Sequence, residues 1–305
     1  MADLAPIVIF TYKRPEHTKQ MLNALMANPE FSASPVFIYG DGPDNDMEVQ
    51  KTREVIREYD LPNAKLIFAD ENRGLANSII AGVTEACDHF EKAIIVEDDL
   101  VVAPYFLKYM NQALEKFAKE PKIMCISGYM YPVKVDLPET FFFRNPSSWG
   151  WATWRRAWDF FEPDSIKLIQ QLELHPELLF DFNIENSIDY MGMLKAQVKG
   201  EIDSWAIRWD ASVFINQGLC LYPGKSLVKN IGHDNSGSHC QEDNAYQVEL
   251  MKQPVNHFVE DLQENPQALK GIKDFFYSLQ KNIPTKVARK LKRICRKIFN
   301  NQKSC

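Results

Sequence analysis

No stretch of the sequence approaches the ~18 consecutive apolar residues needed to span a bilayer. Met1 to Pro6 lacks the basic start and long apolar core of a signal peptide. The six cysteines, at 87, 125, 220, 240, 295 and 305, form no CxxC pair, which argues against a disulfide framework or a cysteine-rich zinc site. A reducing cytoplasm is the expected compartment. No GxGxxG follows the first apolar run, and no GxxxxGK[ST] occurs anywhere. A dinucleotide oxidoreductase and a P-loop NTPase both lose their main support. Acid is also missing from one end: residues 281–305 hold nine Lys or Arg and no Asp or Glu.

What is present is an ordinary soluble mix, 45% hydrophobic and 25% charged over 305 residues. The net charge of −6 divides into +9 on residues 281–305 and −15 on the other 280. An acidic body argues against nucleic acid as a partner. In the tail, Val287, Leu291, Ile294 and Ile298 follow helical spacing with basic residues on the other faces. Such a helix suits the surface of an anionic membrane, or docks on the acidic body.

Apolar runs end repeatedly in polar residues. Ile7–Phe10, Pro35–Tyr39, Lys65–Phe68, Ala93–Val96 and Ile123–Ser127 read as strands, with amphipathic helices between them. This order predicts an α/β fold, a Rossmann-type mostly parallel sheet flanked by helices, with all strand C-terminal ends along one edge. Ligands bind at that edge. Thr11 to Arg14, Asp41, Asp70 to Gly74 and Glu97-Asp98-Asp99 would share it. The second half is less regular: 141–160 is rich in aromatics, 161–200 reads as helical, Cys220–Tyr222 as a strand and 231–240 as a polar loop. Residues 1–280 are expected to form one domain, with a ligand-binding half (1–135) and an aromatic-rich half (136–280), followed by the tail 281–305.

Three successive carboxylates repel one another unless a cation offsets them. At a strand end, Glu97, Asp98 and Asp99 suit a hard divalent ion such as Mn²⁺ or Mg²⁺, which takes carboxylate, phosphate and water oxygens. The bland reading is a solvated acidic turn. Arg14 and Arg73 stand at strand ends and offer planar forks to phosphate; either also reads as a surface arginine. All six tryptophans lie between 149 and 209. Aromatic faces stack on the C–H faces of sugars, which points Trp149 and Trp151 toward a carbohydrate site, with Gly150 allowing close backbone approach. Trp154 and Trp158, four apart, read as a helix core face. His233 and His239 flank a Ser- and Gly-rich loop. Asp203 stands among Trp205, Arg208 and Trp209, where the rings would desolvate it into a general base; Asp159, Glu201 and Asp210 compete, and a helix cap is the other reading.

Ile7-Val8-Ile9-Phe10-Thr11-Tyr12-Lys13-Arg14-Pro15, Gly40-Asp41-Gly42, Asn72-Arg73-Gly74-Leu75 and Glu97-Asp98-Asp99-Leu100 together resemble nucleotide-sugar-dependent glycosyltransferases of the GT-A fold. The Glu-Asp-Asp form is similar to the N-acetylglucosaminyltransferase I group. Ile202-Asp203-Ser204-Trp205 is similar to that group's Trp-Asp-Asp-Trp, with Ile202 and Ser204 as departures. Ser147-Ser148-Trp149-Gly150-Trp151 and Ser236-Gly237-Ser238-His239-Cys240 resemble segments of bacterial sugar transferases of cell-surface polysaccharide synthesis. The resemblance covers roughly residues 5–240. It implies a metal-dependent inverting glycosyltransferase, with a UDP-sugar such as UDP-GlcNAc as donor and a carbohydrate or lipid-linked glycan as acceptor. Asp99 would be the metal ligand, Asp98 would face the ribose, Glu97 the donor sugar, Arg14 the diphosphate and Asp41 the base. Thr11, Asn72, Arg73, Gly74, Trp149, Gly150 and His239 would complete the donor side. Trp151, Trp205 and Arg208 would meet the acceptor, and Asp203 would be the base. A peripheral position on the inner face of a membrane would follow from the tail. A sugar-phosphate nucleotidyltransferase, whose Gly-rich loop is absent, and a non-catalytic nucleotide-sugar or carbohydrate binder are the rival readings.

Overall fold

The computed structural model describes residues 4–43, 46–234 and 245–281. The basic tail beyond 281 and residues 235–244, which include His239, lie outside the described residues.

The first half alternates as its pattern predicts. β1 (Ile7–Thr11), β2 (Val36–Gly40), β3 (Ala64–Phe68) and β4 (Lys92–Glu97) are separated by α1 (Pro15–Met26), α2 (Met47–Glu58) and α3 (Leu75–Phe90). Pro15 starts α1 at the position where its missing N–H costs nothing. Met21, Leu22 and Leu25 of α1 are fully buried, each stabilising the fold by about 1.5–3 kcal/mol. β5 (Leu100–Val102), α4 (Phe106–Lys116), β6 (Ile123–Ser127), β7 (Thr140–Phe143), β8 (Trp151–Trp154) and α5 (Arg155–Trp158) follow. Then come α6 (Ser165–Glu173), α7 (Pro176–Phe182), α8 (Tyr190–Val198), α9 (Trp205–Ile215), β9 (Leu219–Pro223), β10 (Val228–Asn230) and α10 (Pro266–Lys281).

Eight strands form one sheet in the order β3-β2-β1-β4-β8-β6-β9-β7. β1 pairs in parallel with β2 and β4, and β2 with β3. β8 enters antiparallel between β4 and β6, and β7 is antiparallel on β9. Six strands therefore run one way and two the other. Both faces are covered, which is why β1 and β6 are buried at every position. On one face Val8, Phe10 and Ile95 pack with Ile79 and Val83 of α3. On the other, Ile7, Ile9 and Ile94 pack with α1 and with Phe106 and Met110 of α4. No helix among the described residues is long and apolar enough to cross a membrane.

One aromatic assignment changes. Trp154 is not on a helix with Trp158: it ends strand β8, and Trp158 ends α5. Alternation along β8 sends Trp151 and Trp154 to opposite faces of the sheet. Trp154 Nε1 donates to the Leu114 carbonyl at 3.1 Å.

Candidate active site

β1, β2, β3 and β4 end at Thr11, Gly40, Phe68 and Glu97, and their parallel pairing puts the following residues along one edge. β8 runs the other way, so its beginning lies at that same edge. Trp151 pairs with Ile95 and Ser127, which brings Ser147 to Gly150 beside the strand ends.

Glu97 closes β4, and Asp98 and Asp99 turn the chain into β5. β5 pairs antiparallel with β10, and the Ile231 N–H donates to the Asp99 carbonyl at 2.8 Å. The Tyr12 N–H donates to Asp98 Oδ2 at 2.9 Å. Arg14 Nη1 lies 2.7 Å from Asp99 Oδ2 and 3.7 Å from Asp98 Oδ1. Burial, then the charges of Asp99 and Asp98, push the Glu97 carboxyl well above the usual range, against the pull of Arg14. Burial and Asp99 push Asp98 up to about 7, opposed by Arg14 and the Tyr12 N–H. One guanidinium thus faces three carboxylates.

Such a set is short of positive charge, and its hard oxygen donors fit a divalent cation. Among the described residues no group of three His, Cys, Asp or Glu side chains is arranged to hold a metal by itself. The fit is to an ion taking one or two carboxylate oxygens here and the rest from phosphate and water. Gly232 completes the cradle: a Cβ there would collide with Asp99 Oδ2 and stand 2.9 Å from Arg14 Nη1.

The loops after β2 and β3 are tied together by Asp41. Its Oδ1 accepts from the Gly42 and Arg73 N–H groups, both at 2.8 Å, and its Oδ2 from the Gly74 N–H at 3.0 Å. Asn72 Oδ1 also accepts from Gly74 N–H, and its Nδ2 donates to Tyr12 Oη, both at 2.8 Å. Gly74 has φ +78°, a conformation that suits glycine, and leads into α3. Thr11 Oγ1 donates to the Tyr39 carbonyl at 3.3 Å. Asp41, expected at a base, is first of all the clamp of its own loops. The Arg73 side chain is exposed.

Gly232 leads from the carboxylates to His233, which lines a cavity of about 500 Å³. Two depressions of similar volume lie away from the strand ends, one along α4 and one beside Leu4, Lys92 and Trp154. Adjacency to the carboxylates, not size, singles out the first. Trp149 lies edge-on to Tyr129 at 4.6 Å and to His233 at 5.4 Å, and His233 stacks on Tyr246 at 5.7 Å. Asp210, on α9, is buried in its wall and accepts from Asn145 Nδ2 at 2.9 Å. Burial pushes the Asp210 carboxyl well above the usual range, against that hydrogen bond.

Several of these residues stand elsewhere than expected. Trp151 and Trp205, expected at the acceptor, are 1% and 3% exposed, stacked on each other at 5.2 Å in a core cluster with Trp158 and Trp209. Gly150, expected to admit a ligand, makes room for the core. At φ +63° it packs where a Cβ would stand 2.7 Å from Val228, and its carbonyl accepts from Gly128 N–H at 2.7 Å. Asp203 is not desolvated by tryptophans. Its side chain is 57% exposed and pairs with Arg208 Nη2 at 3.2 Å. Nor does it cap α9; Ser204 does, accepting from the Ile207 N–H. Ser204 lines the cavity, and Asp203 precedes it in the chain without lining it. Arg208, expected at the acceptor, also donates to the Ser204 and Pro163 carbonyls. His239, Ser236 and Ser238 lie outside the described residues. Gly232, Tyr129 and Tyr190 went unread in the sequence. The Ile231-Gly232-His233 step next to the polar loop was the available signal for the first.

Comparison with solved structures finds partial likenesses. GalNAc-T7, crystallised with UDP, GalNAc and Mn²⁺, is 11% identical with a TM-score of 0.50, over 78% of this chain and 45% of that one. The S. aureus TarS fragment 1–349 is 13% identical with a TM-score of 0.44, over 74% of this chain and 59% of that one. The mannosyltransferase PcManGT from Pyrobaculum calidifontis, in complex with GDP-Man and Mn²⁺, is 17% identical with a TM-score of 0.33, over 42% and 36%. The chain thus spans between 36% and 59% of these neighbours' lengths. No curated protein sequence matches it. The α/β sheet with its helices on both faces is a GT-A fold. A family model, "Glycosyltransferase like family 2", matches residues 5–258, most of the chain, and the protein belongs to that family.

Proposed function

We propose that the protein is a metal-dependent inverting glycosyltransferase. It moves a sugar from a nucleoside diphosphate sugar, a UDP-sugar such as UDP-GlcNAc, to a carbohydrate or lipid-linked glycan in polysaccharide synthesis. The observation that carries this is the cluster of Glu97, Asp98 and Asp99 at the end of β4, with the Arg14 guanidinium against it. That GalNAc-T7 was crystallised with UDP and Mn²⁺ supports the same reading.

Asp99 would hold the cation, with Asp98 and Glu97 behind it. A divalent ion bound there supplies charge neutralisation for the departing diphosphate. Arg14 presents guanidinium donors to the same phosphates. Asp203, held by Arg208, takes the proton of the acceptor hydroxyl. The acceptor oxygen forms its bond to the anomeric carbon as the bond to the diphosphate oxygen breaks, from opposite faces, so the configuration inverts. The basic residues 281–305 support peripheral contact with an anionic membrane, where a lipid-linked acceptor would be presented.

The test is calorimetry of UDP with Mn²⁺, alongside release of the nucleoside diphosphate from a donor panel. Asp99→Ala should weaken Mn²⁺-dependent UDP binding at least about 100-fold. Asp203→Asn should keep that binding within about twofold and lower transfer on the order of 10²–10⁴-fold. Unchanged UDP binding by Asp99→Ala would sink the metal assignment. Full transfer by Asp203→Asn would sink the base.

A further inference from the structure

Beyond Asn230 the ladder with β5 has ended, and the turn that carries Gly232 and His233 is held by other means. Two of its backbone groups find partners close by. The Ile231 N–H donates to the Asp99 carbonyl and the Gly232 N–H to Asn230 Oδ1, both at 2.8 Å. The Ile231 carbonyl instead meets His17, in the first turn of α1 and 214 residues away along the chain. His17 Nε2 lies 3.2 Å from that carbonyl and 3.2 Å from Asp234 Oδ2. Both oxygens are acceptors, so Nε2 carries the proton and donates between them. The His17 side chain is only 12% exposed.

Two side chains of one helical turn therefore act on one small region. Arg14, at the N-cap of α1, reaches Asp99 Oδ2 at 2.7 Å, and His17, three residues on, holds the turn that packs over both. A Cβ on Gly232 would stand 2.9 Å from Arg14 Nη1 and 3.0 Å from Asp99 Cβ, so the backbone lies directly against these two side chains. The peptide joining Ile231 to Gly232 is planar. Fixing its oxygen on His17 and its N–H on Asn230 fixes that plane. Gly232 then bounds the rotamers open to Asp99 and Arg14. Release of the turn would give both side chains more freedom, and a cation or diphosphate would have to order them again at an entropic cost. The next residue, His233, is edge-on to Trp149 and stacked on Tyr246, so the same turn seats part of the cavity wall.

We propose that His17 is a positioning residue of the cation and diphosphate site. It touches neither ligand. Through Nε2–H it holds the turn 231–234, so that Gly232 keeps Asp99 and Arg14 aimed at a metal–nucleotide complex. The assignment rests on the metal-dependent reading above and adds to it a residue from outside the acidic cluster.

Two measurements on the full chain test it: calorimetry of Mn²⁺ at a fixed concentration of UDP, and amide hydrogen exchange with neither ligand present. His17→Ala suits α1, since alanine is the best helix former. It should weaken Mn²⁺ binding about 10–100-fold, the usual effect of losing a partner behind a metal ligand. In the free protein it should speed exchange of the Ile231 and Gly232 N–H groups about tenfold or more. His17→Gln, whose amide N–H can serve the same carbonyl, should recover most of both effects. A role confined to the packing of α1 would lower the thermal midpoint of His17→Ala and leave Mn²⁺ binding, measured below that midpoint, within about twofold of wild type. That result would overturn the proposal while the metal reading stood. Unchanged exchange at Ile231 and Gly232 would overturn it too, as would a folded His17→Gln chain that binds Mn²⁺ no better than His17→Ala. Absence of any Mn²⁺-dependent UDP binding by the wild-type chain would sink the metal reading, and this proposal with it.

Discussion

Asp41 illustrates how a polar residue at a strand end can serve the fold before it serves a ligand. Three backbone N–H groups converge on its carboxylate, two of them from the loop after β3. Asp41→Ala would leave the Gly42 and Arg73 N–H groups without this acceptor in a site that is 9% exposed, while Gly74 N–H keeps Asn72 Oδ1. The expected loss is about 2–3 kcal/mol of stability, read as a lower urea midpoint with an unchanged slope. Asp203 and Asp210 make a similar point about neighbours in sequence. Both stand close to tryptophans along the chain, yet the exposed one precedes the Ser204 cap of α9 and the buried one lies within the helix. On a helix the ring of Trp205 turns into the core, away from the residue two positions before it. Burial of a carboxylate is set by which face of the helix meets the core, and a list of adjacent residues does not contain that.

At the scale of elements, the parallel half was legible and the rest was not. β1, β2 and β4 are apolar runs between amphipathic helices, so period and boundary agree. The four carboxylate-bearing or polar strand ends followed from that alternation alone. β7 and β8 are four residues each, and β5 and β10 three. Runs this short carry too few periods to declare a face, and Trp-Gly-Trp-Ala-Thr-Trp looked like a binding segment because nothing local placed it in the sheet. Its direction is fixed by partners far along the chain, Ile95 and Ser127. Gly150 is where that insertion is tightest. Gly150→Ala would put a methyl 2.7 Å from Val228 Cγ2 at a positive φ. A cost of about 1–3 kcal/mol is expected, seen as a fall in thermal midpoint. Mn²⁺-dependent UDP binding, measured below that midpoint, should survive if Gly150 serves packing.

For the whole molecule, the net charge of −6 conceals an acidic body and a tail of nine basic residues. If the tail meets anionic lipid, removing residues 281–305 should abolish co-sedimentation with phosphatidylserine vesicles and leave hydrolysis of the free donor within about twofold. In the intact chain, raising the salt from 0.1 to 1 M should release the vesicles, since screening shortens the reach of charge from about 10 to about 3 Å. Undiminished vesicle binding by the shortened chain would refute the contact.

The pairing of β5 with β10 sets a chronology for the newborn chain. Glu97 to Asp99 emerge from the ribosome well before Ile231 and Gly232, with more than a hundred residues between them. At 5–20 residues per second, that interval is on the order of ten seconds. Through it the three acids exist with Arg14 but without the strand that flanks them. A truncated polypeptide stopping at residue 135 would therefore possess every acidic group of the cluster and still lack its cradle.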